Sequence, residues 1–234
     1  MAIIKFGLAV SDIRGSVAGT TFSSGTYGAY ARRKAVPTNT NTINQGNKRA
    51  AFATLSSSWR GLTYEQRQTW ITQAPNYTRV NAFGDNVPLT GQSLFMRANL
   101  NLIAAEQATI NECLPPVELA GPACTGVDFD LTAGTLEFLQ VGAVPANVAY
   151  LLRASNVTSA GKKYVSKSEL RLMKALPPAT TLADQDIAGE WQSQFGSSMP
   201  NGLAGSGVSM QIVAVSTITG QTVAGVTTLA IAHV

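Results

Sequence analysis

The hydrophobic pattern changes its period at Pro115-Pro116, and this change constrains the fold more than any other feature of the chain. Before the two prolines, the apolar residues Phe52, Leu55, Trp59 and Leu62 recur at spacings of three or four positions, which is typical of an amphipathic helix. After them, apolar and polar residues alternate, which is typical of strands with one buried face. Because a helix cannot continue through consecutive prolines, we expect a helical part and a β part that meet there.

Two helices are predicted to form a hairpin. The first covers residues 44–60 and ends at Gly61, and the second begins with Thr63-Tyr64-Glu65-Gln66, which fits a capping box. In such a box the threonine hydroxyl accepts from the amide of Gln66, while the glutamine side chain accepts from the amide of Thr63. The second helix must end near Pro75.

A third helix is predicted after Thr90, which is a suitable N-cap, and it should fade near Asn111. Trp59 and Trp70 are the predicted packing anchors, because large aromatic side chains dominate small cores. We therefore expect residues 43–114 to form a small three-helix domain.

Residues 115–234 are predicted to form an antiparallel β-sandwich of the fibronectin or immunoglobulin type with one inserted helix. "SMQIVAVS" should be its central strand, with Met210, Ile212 and Ala214 facing one side. "LADQDIAGEWQSQF" has the apolar spacing of a short helix between strands. The remaining alternating stretches are "VDFDL", "TLEFLQV", "VAYLLRAS", "SELRLMKAL" and "TTLAIAHV".

Residues 1–42 are rich in glycine and small side chains, and they are predicted to form an extended arm that carries a β-hairpin. "TTFS" and "YGAYA" favour strands, and Ser24-Gly25 between them favours a turn. Glycine loses much conformational freedom on folding, so another chain is expected to stabilise this hairpin better than its own helices do. The fold class is therefore α+β, with an arm, a helical domain and a sandwich.

Positive charge is concentrated in the first part of the chain. Residues 1–100 carry 11 Lys or Arg against 3 Asp or Glu, whereas residues 101–234 carry 6 against 10. The consecutive Arg32, Arg33 and Lys34 can bind phosphate groups, solvate an exposed arm or dock on an acidic protein surface. Strand alternation places Arg33 on the side opposite to the other two. The asymmetry indicates different partners for the two parts, or complementary faces on neighbouring copies.

The acidic residues of the C-terminal part have structural explanations. Asp128 and Asp130, with Glu137 on the next strand, have oxygen ligands of the kind that bind calcium. Their alternation with apolar residues instead favours an exposed strand face. Asp184, Asp186 and Glu190 suit the first turns of the inserted helix, where acids complement the helix dipole.

The sequence contains no motif that points to catalysis. Walker, dinucleotide-binding, serine-hydrolase and CxxC patterns do not occur. The single histidine, His233, stands beside the C-terminus, where chains are usually mobile, so we expect neither a catalytic triad nor a histidine metal site. Cys113 and Cys124 are predicted to be free thiols. We therefore expect no enzymatic activity, no cofactor and no metal.

Several stretches are familiar in combination: "DIRGSVAGTTFS", "GAYARRKAVPTNTNT", "FATLSSSWRGLTYEQRQTWITQA", "NAFGDNVPLTGQSLFMRANLNL" and "VAVSTITGQT". With them the chain resembles a family of phage and prophage proteins, mostly of unassigned role, that are taken as virion-associated. The likeness spans nearly the whole chain and is most distinctive in the first 105 residues. It departs at "SGTYG", where an Arg/Asn pair is expected after the "TTFS" strand. The resemblance implies a structural component of a tailed-phage particle.

We therefore expect a bacteriophage virion protein, either a capsid decoration or a head–tail or tail component, that assembles through its N-terminal arm. Its expected partners are other virion proteins and copies of itself, with synthesis in the host cytoplasm and no membrane partner, because no run of 18 apolar residues occurs. The alternative is a nucleic-acid-binding protein that uses the basic residues, and a third class is a binder of carbohydrate or host surfaces. The predicted assembly or docking residues are Arg14, Phe22, Tyr27, Tyr30, Arg32, Arg33, Lys34, Lys48 and Arg49.

Overall fold

The protein is a mixed α+β chain whose described strands pair antiparallel in four sheets, as the change of hydrophobic period predicts. None of its described helices is long and apolar enough to cross a membrane. The computed structural model describes residues 2–7, 10, 12–25, 28–35, 41–80, 84–122, 124, 126–130, 133–139, 143–159, 161–162, 164–179, 184–196 and 205–233.

The first four strands form one sheet, named here the N-terminal sheet, with the order β1-β4-β3-β2. The predicted hairpin is its central pair, β3 and β4. The two outer strands were not predicted: β2 turns into β3 through Ala18 and Gly19, which have φ values of 44° and 80°. Two left-handed residues suit a two-residue hairpin turn, but Ala-Gly is a weak signal for one. The strands are β1 (Ala2–Ile4), β2 (Gly15–Val17), β3 (Thr20–Gly25) and β4 (Gly28–Arg33).

The helical part contains the three predicted helices and a small hairpin of β5 and β6. The Thr63 capping box is confirmed, since the Thr63 hydroxyl accepts from the amide of Gln66 and the Gln66 side chain accepts from the amide of Thr63. The Thr90 cap is confirmed as well. The elements are α1 (Ile43–Gly61), α2 (Tyr64–Gln73), a 3₁₀ turn (Ala74–Asn76), β5 (Thr78–Val80), β6 (Asn86–Pro88) and α3 (Gly91–Ala104).

Helix α3 ends seven residues earlier than predicted. Glu106 adopts a left-handed φ of 57°, and the amide of Gln107 donates to the carbonyl of Leu102. This closes the last helical turn in the way that a glycine usually does. The following segment then packs back on the helix, because the buried Asn99 side chain bonds both the carbonyl and the amide of Ile110.

Trp70 is the main anchor of the helical core. It is fully buried, its ring meets Phe95 edge to face at 5.2 Å, and its Nε1 donates to the carbonyl of Asn111. Trp59 packs on the same phenyl ring at 5.4 Å from a partly buried position. Both tryptophans therefore act as the predicted packing anchors.

A five-stranded sheet lies at the centre of the C-terminal part. Its order is β10-β9-β12-β13, and β14 also pairs with β12. A second sheet has the order β11-β8-β7 and packs, together with α4, on one face of the first. The elements are β7 (Gly126–Asp130), β8 (Thr135–Leu139), β9 (Val148–Ala154), β10 (Arg171–Leu176), β11 (Gln185–Asp186), α4 (Ala188–Phe195), β12 (Gly207–Ser216), β13 (Thr222–Ala224) and β14 (Thr228–Ile231).

Strand β12 is buried along its whole length, as expected for the predicted central strand. Met210, Ile212 and Ala214 face the second sheet and α4. Val213 and Val215 face the other way and pack against α3. The five-stranded sheet is thus covered on both faces where α3 crosses it.

The contact between α3 and the β part is tight. Gly220 has a φ of 66°, and a Cβ on it would lie 2.6 Å from the carbonyl oxygen of Ala98. The Asn101 side chain donates to the carbonyl of Gly220 at 2.9 Å. Only glycine fits this turn, both in its backbone conformation and in the space beside the helix.

Candidate assembly surface

The front of the chain contributes nothing to the described core. Of the described residues from 3 to 54, none has a buried side chain, and the first buried residue is Leu55. This segment includes three complete strands, most of β1 and the first three turns of α1. A sheet of this kind normally needs one face covered by apolar packing, so the uncovered N-terminal sheet is the strongest candidate for a contact surface.

One face of the N-terminal sheet is weakly apolar. The register places Phe22 opposite Ala31, and Val17 opposite Thr20 on the same face. Arg33, which also pairs with Thr20, ends this face with a positive charge. Phe22 is only partly buried, and Val17 is 65% exposed. These side chains are too few and too small to form a core without a partner.

The opposite face is more polar and carries Tyr30 and Arg32. Tyr30 lies between Ile3 and Ser23, and Arg32 lies opposite Thr21. Arg32, Arg33 and Lys34 are all exposed. Thus β4 carries the predicted basic residues at one end, with Arg32 and Arg33 on opposite faces as strand alternation requires.

The other predicted docking residues do not all join this group. Arg14 pairs with Asp12 at 2.7 Å and precedes β2, two strands away from β4. Lys48 and Arg49 lie on the exposed first half of α1, beside the half-exposed ring of Phe52. Tyr27 lies outside the described residues. The structure therefore groups Arg32, Arg33 and Lys34, and places Arg14 apart from them.

An ion pair between described residues links the N-terminal sheet region to the helical part. Lys5 Nζ lies 3.3 Å from a carboxylate oxygen of Asp85, and both side chains are more than half exposed. Exposed ion pairs of this kind contribute less than about 1 kcal/mol. The pair therefore orients the sheet weakly and does not replace a core.

An acidic surface faces outward on the β11-β8-β7 sheet. Asp128 pairs with Glu137, and Glu137 pairs with Asp186 on its other side. These three residues are named the acidic row. Partial burial, together with the charges of Asp186, Asp184 and Asp128, raises the pKa of Glu137. Asp186 was expected in the first turns of the inserted helix. It lies instead in the two-residue strand β11, just before α4, where its Oδ1 accepts from the amide of Ala188 at 2.9 Å and from that of Leu136 at 3.2 Å.

His233 is not a loose terminal residue, as its position in the sequence suggested. Its Nε2 lies 2.9 Å from Asp128 Oδ1, and its amide donates to the carbonyl of Phe129. The contact fixes the end of the chain along β7. Over the described ranges, no group of three or more His, Cys, Asp or Glu residues has the geometry to hold a metal ion.

The two cysteines are free thiols in this structure. Cys113 is buried in the helical core, and this burial raises its pKa to about 11. A thiol with so high a pKa is protonated at neutral pH and is a poor nucleophile. Cys113 is therefore a packing residue.

Comparison with protein-family models, curated proteins and solved structures finds no match to this chain.

Proposed function

We propose that this protein is a structural component of a bacteriophage virion, a capsid decoration or a head–tail or tail component, that assembles through its N-terminal sheet. The observation that carries the proposal is the lack of any buried side chain among described residues 3–54. The resemblance to virion-associated proteins supports it. The low content of charged residues, 13%, is in keeping with a chain whose surface is largely covered in an assembly.

The physical argument concerns what orders the N-terminal sheet. Its backbone hydrogen bonds are formed, but few apolar groups offset the entropy of its glycines. A neighbouring protein that covers Phe22, Tyr30 and Val17 would add about 2 kcal/mol for each side chain that becomes fully buried. Small side chains also allow the neighbour's backbone to approach closely, as in strand addition.

The proposed orientation places the β part of each chain away from the contact made by that chain's own N-terminal sheet. The packing of a three-stranded sheet and α4 on one face of the five-stranded sheet supports a sandwich. We propose the fibronectin or immunoglobulin type for it, presented outward, with residues 43–114 as a helical connection to the arm. In this arrangement the same chain supplies both an attachment element and an exposed module.

Hydrogen exchange and particle incorporation test the proposal together. In the monomeric chain, at concentrations too low for self-association, amides of residues 12–35 should exchange close to the rate of unfolded peptides, while those of β12 should be strongly protected. Deletion of residues 1–42 should reduce the copy number in purified particles, measured by mass spectrometry against the major capsid protein, at least about tenfold. Strong protection of the N-terminal sheet in the monomer, or normal incorporation of the truncated chain, would overturn the proposal.

The second candidate function is nucleic-acid binding through Arg32, Arg33, Lys34, Lys48 and Arg49. The exposure of Arg32, Arg33 and Lys34 at one end of β4 favours it. Filter binding over a salt series separates the two functions. Contact of all five cations with phosphates gives a slope of log K against log salt of about −4, whereas a protein-docking surface gives no measurable retention of DNA or RNA.

A further inference from the structure

The cations of β4 have no carboxylate partner within the described chain. Arg32, Arg33 and Lys34 form no ion pair with any described residue, unlike Arg14 and Lys5. Glu137 in the acidic row forms none either. Among the described residues, the basic group and Glu137 at the centre of the acidic row are therefore left without an ion-pair partner, while Asp128 lies beside His233 and Asp186 accepts from the amides of Leu136 and Ala188.

The acidic row is unfavourable for the fold that contains it. Like charges directly opposite each other on neighbouring strands destabilise a sheet, and Glu137 has one on each side. No Lys or Arg occurs in the surrounding segments 126–139 and 184–196. Among the described residues, the imidazole of His233 lies 2.9 Å from Asp128. Cations from another molecule would remove this repulsion.

The two surfaces also match in size. Neighbouring strands lie about 4.8 Å apart, so the three carboxylates span about 10 Å across the sheet. Arg32 and Lys34 are two positions apart in sequence and, in extended backbone, are separated by about 7 Å. Long flexible side chains cover the difference. Buried Phe129, Leu136 and Phe138 lie on the inner side, so the row itself is directed to solvent.

We propose that the surface that receives the N-terminal sheet is the acidic row on a second copy of this chain. The inference rests on the proposed function, because it names the partner of the same assembly surface. A contact between two different patches is head-to-tail, and it closes into a ring or continues as a filament. The positive charge of residues 1–100 and the negative charge of residues 101–234 then attract neighbouring copies to each other.

Charge reversal on each side tests the contact in the full chain. Arg32→Glu with Lys34→Glu removes the cations, and Glu137→Lys reverses the centre of the row. In sedimentation velocity at about 0.05 M NaCl, each variant alone should self-associate at least about tenfold more weakly than the wild type. An equimolar mixture should recover association between unlike chains, because the unaltered arm of the Glu137→Lys variant then meets the unaltered acidic row of the arm variant.

Two controls carry the same charge changes at other exposed sites. Arg60→Glu with Lys167→Glu is the control for the arm variant, and Glu112→Lys, on the segment that closes the helical core, is the control for the row. Both should associate like the wild type. Circular dichroism of every variant should match the wild type, so that a loss of association is not a loss of fold.

The outcomes separate this inference from the proposed function. If the arm variant fails to enter particles while Glu137→Lys enters normally, the sheet docks on another virion protein, and only the inference is overturned. If the equimolar mixture does not recover association, the inference is likewise overturned and the proposed function is not. If the arm variant both associates and enters particles normally, the inference and the arm-based function are both wrong.

Discussion

The strands β4 and β12 show how differently one chain uses the same secondary structure. Every residue of β12 is buried, between α3 on one side and the second sheet on the other. No residue of β4 is buried, although it is also the central strand of its sheet with neighbours on both edges. Hydrogen-bond pairing is therefore equivalent in the two strands, and side-chain packing is what separates them.

The difference follows from composition. Strand β12 reads "GVSMQIVAVS" and supplies apolar side chains to both faces, whereas β4 reads "GAYARR" and supplies alanines, one tyrosine and two charges. Burial of a medium-sized aliphatic side chain contributes about 2 kcal/mol, and alanine contributes much less. Side-chain burial therefore stabilises β12 and its neighbours far more than it stabilises the N-terminal sheet.

The largest difference in the free energy of unfolding is expected between removing an aromatic side chain from the core and removing one from the N-terminal sheet. Trp191 is 1% exposed, and its Nε1 donates to the carbonyl of Ser155 at 2.9 Å. Trp191→Ala should lower the free energy of unfolding by about 4 kcal/mol, measured by urea denaturation. Phe22→Ala, also an aromatic truncation, should change it by less than about 0.5 kcal/mol in the isolated chain. Comparable losses would show that the arm belongs to the core.

The junction between α3 and the β part gives the next largest effect. In Gly220→Ala the new Cβ meets the backbone of Ala98 in addition to the cost of a left-handed φ. We expect a loss of about 3 kcal/mol in the free energy of unfolding. Gly196→Ala is the matched control, because Gly196 has a φ of 67° with open space around its Cβ position. It should cost only about 1 kcal/mol.

Two helix caps make the same hydrogen bond, one at a helix that belongs to the helical core and one at the exposed end of α1. Thr63 and Thr42 each accept a bond of 3.3 Å from the amide three residues on. Thr63→Ala should destabilise the chain by about 1 kcal/mol, since α2 belongs to the helical core. Thr42→Ala should change global stability by less than about 0.3 kcal/mol, because the first turns of α1 open locally. Urea denaturation measures both, and equal losses would contradict the exposed position of that helix end.

Sequence reasoning succeeded where local chemistry decides the structure. The Thr63 box, the Thr90 cap and the central position of β12 depend on residues close together in the chain, so their patterns are visible without the fold. The end of α3 was missed because Glu106 adopts a conformation usually left to glycine. Strand β2 was missed because its turn, Ala18-Gly19, carries a weak signal.

The candidate site was predictable only in part for the same reason. The basic residues of β4 are consecutive and therefore visible in the sequence. The acidic row depends on the pairing of β8 with β11, whose residues Glu137 and Asp186 are 49 positions apart. Contacts such as that of Asp128 with His233 likewise depend on which side chains the fold brings together.

The smallest predicted effect is that of Glu137, whose substitution should change stability and self-association in opposite directions. Burial and the neighbouring acids raise the pKa of Glu137, so the folded state binds this proton more tightly than the unfolded state. Wild-type stability then falls as pH rises from the ordinary glutamate value through the raised one. Glu137→Gln does not titrate, and it should be more stable than the wild type by about 0.5 kcal/mol near pH 7, with the difference vanishing in acid.

Urea denaturation at about pH 7 and about pH 4 measures this difference. Glu112→Gln lies outside the acidic row and should show no change. If the row receives the arm of a second copy, Glu137→Gln should at the same time weaken self-association in sedimentation velocity. A substitution that acts only on folding changes association through stability, so it cannot raise the free energy of unfolding and weaken self-association at the same time. A gain in stability with unchanged association would leave the acidic row as an unfavourable feature of the fold with no partner to explain it.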